Sequence, residues 1–192
     1  MRRLAVLAFV TLDGVMQSPS AAEEDPSGGF DRGGWAVPYW DGVMPHVEQT
    51  AMAAPYDILF GRKTYDIFAA HWPNAPRSTA ADRLSGARKY VVTGSPETLH
   101  WDNSEAVHGD AVAAIRALKQ TDGPLLQVHG SATLIQTLQA YDLIDDFRLW
   151  TFPVVVGAGK RLFGPDCTPR AYALRRAQAL VNGVMQQEFV RA

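Results

Sequence analysis

The sequence predicts an α/β fold, with three layers (α/β/α) around a mixed, mainly parallel sheet that ends in an antiparallel C-terminal hairpin. Three observations lead there. Short apolar runs are followed by segments of helical spacing three times along the chain, which implies parallel strands joined by crossover helices. The first run, Leu4 to Val10, is apolar throughout, as a strand buried on both faces must be. Near the end, Asn182-Gly183 separates two strand-like runs and suits a type I′ turn, in which both central residues take positive φ.

Residues 4 to 11 read as the first strand. Arg2 and Arg3 ahead of the apolar run imitate a short signal peptide. The run is, however, far shorter than the ~20 apolar residues that span a bilayer, and it breaks at Thr11-Leu-Asp-Gly14. Leu12 to Trp40 is rich in Gly, Pro, Asp and Ser, and a loop of this length in a compact domain usually has a function. Asp41 to Ala54 has helical spacing through Val43, Val47 and Met52, with Asp41 as N-cap or first-turn residue and Pro55 as the stop. Tyr56 to Phe60 is a strand, followed at Gly61 by a helix through Thr64 to Ala70. Lys89 to Thr93 is a strand, and the segment after Gly94-Ser95-Pro96 reads as irregular up to Asp110. Helix Ala111 to Gln120 ends before Asp122-Gly123-Pro124. Leu125 to Val128 is a strand that turns through His129-Gly130-Ser131 into helix Ala132 to Ala140. Asp146 to Val156 is a strand whose Pro153 implies a bulge or an edge. Ala171 to Val181 and Val184 to Val190 form the closing hairpin.

A chain of 192 residues suits one domain, spanning 1–192. With 47% apolar and 20% charged residues, it has the means to bury a core and no disorder signature. Eighteen Lys and Arg against 20 Asp and Glu give 18 − 20 = −2, with no block of like charge, so bulk electrostatics recruit neither nucleic acid nor an anionic membrane. The single cysteine, Cys167, cannot close an internal disulfide, which fits a reducing cytoplasm. The five histidines lack zinc-ligand spacing, so no metal is expected. No G-x-S-x-G elbow exists, and Gly157-Ala-Gly159-Lys160 matches neither a dinucleotide fingerprint nor a Walker motif.

Chemistry is most concentrated at three turns: Gly61-Arg62-Lys63-Thr64, Thr93-Gly94-Ser95 and His129-Gly130-Ser131-Ala132-Thr133. Open α/β sheets bind ligands at the carboxyl ends of their strands, where helix N-termini offer free N–H groups to anions. Arg62 and Lys63 add positive charge suited to phosphate. Spacing alone favours the plainer reading, in which glycine only permits tight turns and Arg62 is a solvated helix residue. Trp35, Tyr39, Trp40 and Trp72 are equally compatible with a core and with the wall of a pocket for a planar substrate.

Phe60-Gly-Arg-Lys-Thr-Tyr65 resembles the G-R-x-T signature of the dihydrofolate reductase-like family, and Val128-His-Gly-Ser-Ala-Thr-Leu134 resembles its glycine-rich strand-to-helix turn. The similarity continues through Leu143 to Leu149 and Pro153 to Phe163, so it covers nearly the whole chain in order. It is nearest to stand-alone proteins that resemble the C-terminal reductase domain of bacterial riboflavin biosynthesis deaminase-reductases. The resemblance implies a dihydrofolate reductase-like fold and NADPH as cofactor. Arg62, Lys63 and Thr93, Gly94 and Ser95 would then lie near the adenosine 2′-phosphate. Thr64 and the turn Gly130, Ser131, Ala132 and Thr133 would hold the pyrophosphate, Gly61, His129 and Leu134 would also belong to the cofactor site, and Met16 would lie in the loop that closes over nicotinamide. Trp35, Tyr39 and Thr151 are the candidate substrate contacts.

The implied activity is hydride transfer from NADPH to a C=N or C=O bond of a small heterocycle, either pterin-like or ribitylamino-pyrimidine-like. The alternative is an NADP(H)-binding protein without turnover that serves a partner or a regulatory role. Trp35-Ala-Val-Pro38-Tyr-Trp-Asp41 resembles the segment that carries the acidic residue of folate reductases, which makes Asp41 the first candidate for handling the proton and Asp13 the second. Two departures bear on function. Gly130-Ser131 replaces the Gly-Gly of folate reductases, so their unusual backbone is not expected here. His129 stands where riboflavin-pathway reductases carry a substrate-binding Glu. The same resemblance implies a homodimer.

Overall fold

In the computed structural model, which describes residues 1–192, the first apolar run is β1 (Leu4–Thr11). It sits between β5 (Leu125–Val128) and β6 (Asp146–Phe152), parallel to both, which explains why Leu4, Ala5 and Val6 are wholly buried and no polar residue interrupts the run. Burying one such aliphatic side chain contributes about 1.5–3 kcal/mol. β2 (Tyr56–Gly61) adds to β5, then β3 (Lys89–Val92) and β4 (Ser104–Val107), all parallel. β8 (Met185–Arg191) and β7 (Tyr172–Ala179) extend the other side antiparallel, completing the order β4-β3-β2-β5-β1-β6-β8-β7.

Helices cover both faces. α1 (Trp40–Thr50), α2 (Arg62–His71) and α3 (Thr79–Gly86) close one core around Phe60, Tyr65 and Trp150; α4 (Ala111–Gln120) and α5 (Ala132–Ala140) close another around Val6, Ile115 and Ile135. The architecture is therefore the three-layer α/β/α arrangement that the alternation of runs predicts. The spans of α4, β5 and α5 coincide with the sequence reading.

Elsewhere the boundaries move, each for a local reason. α1 begins at Trp40 and ends at Thr50, and Pro45 inside it leaves the Asp41 carbonyl without its i+4 donor. β4 lies in the stretch read as irregular, and α3 in one that the sequence left unassigned. α3 is short but carries its own start signal, since Ser78 Oγ accepts from Ala81 N at 3.1 Å. β4 is a four-residue edge strand. β6 stops at Phe152, before Pro153, so the proline ends the strand and no bulge forms within it. In the hairpin only Gly183 has positive φ (85°); Gly183 N donates to the Leu180 carbonyl and Leu180 N to the Val184 carbonyl. The loop is thus a three-residue type with glycine at its left-handed position, and the type I′ expectation is corrected.

Candidate active site

β2 and β5 are parallel neighbours, so their carboxyl ends share one edge, and each runs into a helix within three residues. Gly61 is the N-cap of α2, with no side chain to occupy the free N–H groups of the first turn. A Cβ placed on it would lie 2.2 Å from Ser131 Oγ and 2.8 Å from Ser131 Cβ, so the starts of α2 and α5 nearly touch. At the start of α5, Gly130 has φ 88° and Ser131 has φ 71° and ψ 92°. Ser131 is thus held in a region that L residues avoid, at a cost of about 1–3 kcal/mol. A Cβ on Gly130 would be 3.9 Å from Met16 Cε and 4.0 Å from Thr64 Cγ2. Met16, Gly61, Thr64, Gly130 and Ser131 thus converge. Ala132, Thr133 and Leu134 form the first turn of α5, with Leu134 buried beneath it.

Beside this junction the Arg62 guanidinium reaches across to the end of β3. Its Nη1 donates to Thr98 Oγ1 at 2.5 Å, to the Ser95 carbonyl at 3.1 Å and to Thr93 Oγ1 at 3.3 Å. Its Nε donates to both carboxylate oxygens of Asp66, one helical turn on, at 2.8 and 3.0 Å. These residues, with Gly94, line an open cleft of about 660 Å³. Lys63 points elsewhere, to Asp25 in the long loop, and Lys160 holds the other oxygen of that carboxylate at 2.6 Å. Burial alone would raise the Asp25 carboxyl, but hydrogen bonds from Lys160, Lys63 and Ser27 outweigh it and hold the group well below the usual carboxylate range. The long loop is thereby fastened to α2 and to the segment after β6.

On the face of the sheet covered by α1 and α2, partly exposed aromatic groups border the same edge. Phe9 meets Trp40 edge-on with centroids 5.3 Å apart, and Phe68 lies 6.1 Å from Trp72 and 6.2 Å from the His129 ring. His129 is buried, stacks on Tyr56 at 5.7 Å and hydrogen-bonds through Nε2 to Gln127 Oε1 at 2.8 Å. Burial, aided by nearby Arg148, pushes its pKa down to about 3, so the imidazole is neutral at ordinary pH.

A family model described as RibD C-terminal domain matches residues 2–185. The chain belongs to the RibD C-terminal domain family. That domain is of reductase type. Two Bacillus subtilis (strain 168) proteins are similar. Uncharacterized protein YyaP is 29% identical over 168 residues, 84% of this chain and 80% of its own. Uncharacterized protein YwjB is 31% identical over 135 residues, 70% of this chain and 73% of its own. A crystal structure from Shewanella sp. PV-4, of a protein provisionally assigned to riboflavin biosynthesis, superposes with a TM-score of 0.66 over 99% of both chains at 17% identity. That similarity establishes the shared fold.

Within this RibD C-terminal domain the remaining predicted residues divide. Trp35 is a core residue: it is buried, donates its indole N–H to the Gln17 carbonyl at 2.8 Å and packs edge-on against Phe152. Tyr39 also packs on Phe152, at 5.6 Å, and is half-buried. Thr151 follows Trp150, which faces the α1 side, so alternation along β6 turns Thr151 to the opposite face, where it donates to Gln187 Oε1 at 2.9 Å. Trp35 and Thr151 are therefore withdrawn as pocket walls. Phe9 and Phe68 are instead the partly exposed aromatic residues near this edge; an aromatic in an otherwise aliphatic strand was the available signal for Phe9.

The two candidate carboxylates differ sharply. Asp13 accepts from Thr11 Oγ1 at 2.6 Å, Gly157 N at 2.8 Å and Val156 N at 3.3 Å, with the Thr11 bond doing most to lower its pKa. It ties the end of β1 to the segment after β6 as a settled anion. Asp41 lies in the first turn of α1, exposed and without a side-chain partner, one residue from Trp40. Asp25 and Asp66 escaped the sequence reading. Asp66 was signalled by its i, i+4 spacing from Arg62; Asp25 joins lysines distant along the chain and left no local trace.

Proposed function

We infer that this protein is an NADPH-dependent reductase that transfers hydride to a C=N or C=O bond of a small heterocyclic substrate. The observation that carries the reading is the junction of α2 and α5, where two helix N-termini meet at glycine on adjacent parallel strand ends. Free N–H groups and the positive ends of both helix dipoles converge there, the arrangement that binds a pyrophosphate. Its close approach is possible only because Gly61 lacks a Cβ. The cleft at Arg62, Thr93 and Ser95 fits an adenosine end, and the partly exposed rings of Phe9, Trp40 and Phe68 fit a planar heterocycle. Family membership supports a reductase and points towards riboflavin biosynthesis.

When bound, the dinucleotide supplies the hydride. The chain's own work is to align the two ligands, exclude water with the aromatic wall and provide a proton. Asp41 suits the last role, because its carboxyl is free and begins the helix that carries Trp40. Asp13 suits it poorly, because three hydrogen bonds favour its ionised form. His129 is neutral and committed to Gln127, so it does not reproduce an anionic substrate anchor.

The test is NADPH consumption against pterins, flavins and ribityl-pyrimidines. Turnover of one class identifies the substrate; NADPH binding with no turnover on any class would favour the binding-protein alternative. Replacing Asp41 by Asn keeps helix-start hydrogen bonding and should reduce turnover about a hundredfold while leaving NADPH binding intact. Unchanged turnover, with Asp13→Asn inactive, would move the proton role to Asp13.

A further inference from the structure

Arg62 is the only cation lining the adenosine-side cleft, and it is already neutralised. Its Nε is held by both oxygens of Asp66, and Nη1 is spent on Thr98, Ser95 and Thr93. Only the Nη2 group is left without a protein partner. Asp66 itself lines the same cleft and is about half exposed, so any group that approaches Arg62 also approaches a carboxylate. A 2′-phosphate would gain the free Nη2 donors and suffer repulsion from Asp66. A plain ribose 2′-hydroxyl would meet no repulsion and could donate to the same carboxylate.

We propose that Asp66 sets cofactor selectivity in this cleft, restraining the preference for a 2′-phosphorylated adenosine that Arg62 alone would confer. The proposal rests on the dinucleotide reading above and names the residue that tunes it. Arg62 supplies the attraction and Asp66 the counterweight, four residues apart on one helix. The balance between NADPH and NADH is therefore narrower than an arginine at this place implies.

The test uses the full-length protein and two probes that need no turnover, adenosine 2′,5′-bisphosphate and adenosine 5′-monophosphate, titrated calorimetrically. Asp66→Asn retains an oxygen for Arg62 Nε and removes the charge; a melting curve checks that it folds. Its affinity for the bisphosphate should rise about five- to tenfold, while that for the monophosphate changes less than about twofold or falls. Raising the salt concentration should shrink the gain, and Asp66→Glu should restore wild-type selectivity. Two probes bound by the wild type, with selectivity unmoved in Asp66→Asn or both affinities raised equally, would overturn the role of Asp66 and leave the dinucleotide reading standing. Neither probe bound by the wild type or the variant would overturn both.

Discussion

Replacing Gly61 by Ala tests whether the helix junction is as tight as its geometry states. The backbone of Gly61 is extended (φ −78°, ψ 155°), so alanine meets no conformational penalty there. The obstacle is Ser131, with Oγ at 2.2 Å and Cβ at 2.8 Å from the new methyl. The hydroxyl can rotate away, but the Cβ can retreat only with the backbone of α5. Overpacking of this kind costs about 1–3 kcal/mol, which lowers the melting temperature of a domain this size by roughly 2–12 °C. Ser131→Gly removes both clashing atoms and relieves the positive φ, so alone it should be neutral or stabilising by up to ~1 kcal/mol. Combined with Gly61→Ala, it should recover most of the loss, giving a coupling of about 1–2 kcal/mol in a double-mutant cycle. Urea denaturation of the four proteins measures stability, and NADPH fluorescence measures whether binding follows the junction. Additive effects of the two substitutions, or a Gly61→Ala variant within 0.5 kcal/mol (about the error of additivity) of the wild type, would refute the reasoning.

Arg62→Ala should weaken NADPH about tenfold and leave NADH nearly unchanged, as expected for loss of one charge-assisted contact to phosphate; equal losses in fluorescence titrations of both would remove Arg62 from the phosphate site. His129 makes folding acid-sensitive. Its folded pKa of about 3 lies below the ordinary 6.5, so the unfolded chain takes up the proton first, and stability present above pH 6.5 falls as pH drops towards 3. Between pH 6.5 and 5 the slope should approach 1.4 kcal/mol per unit, and His129→Gln should flatten it in urea titrations; an unaltered slope would locate the effect elsewhere. A homodimer is expected, with the exposed edge strand β7 as its candidate surface, and the monomer mass by light scattering at micromolar concentration would rule it out.

What the sequence disclosed follows the range over which each signal acts. α4, β5 and α5 were readable to the residue because Asp110 caps α4, Asp122-Gly123-Pro124 closes it, and the Gly130 turn separates β5 from α5. β4 was unreadable because an edge strand of four residues, Ser104 to Val107, needs no apolar alternation. The three glycine-bearing turns could be named from sequence, but their convergence depends on β2 lying beside β5, a pairing between segments 69 positions apart at Tyr56 and Leu125. Trp35 and Phe9 show the same limit in reverse. Both are aromatic and near the expected pocket, and only the direction of the side chain, set by the loop and by strand alternation, sends Trp35 into the core and Phe9 to the rim.

The charges of the site have a common feature that connects its parts. Arg62 is paired with Asp66, and Lys63 and Lys160 share Asp25. Three cations therefore face two carboxylates, and little uncompensated positive charge is available to attract a dinucleotide from a distance. On the dinucleotide reading, recognition of the pyrophosphate then falls to groups that carry no formal charge: the N–H groups at the starts of α2 and α5. Unlike a flexible lysine, those donors cannot adjust to a ligand, and their usefulness depends on the two helices being set within a fraction of an ångström of each other. On that reading the strained Ser131 and the bare Gly61 serve the ligand, and one methyl group at the junction should disturb binding more than the loss of a surface charge.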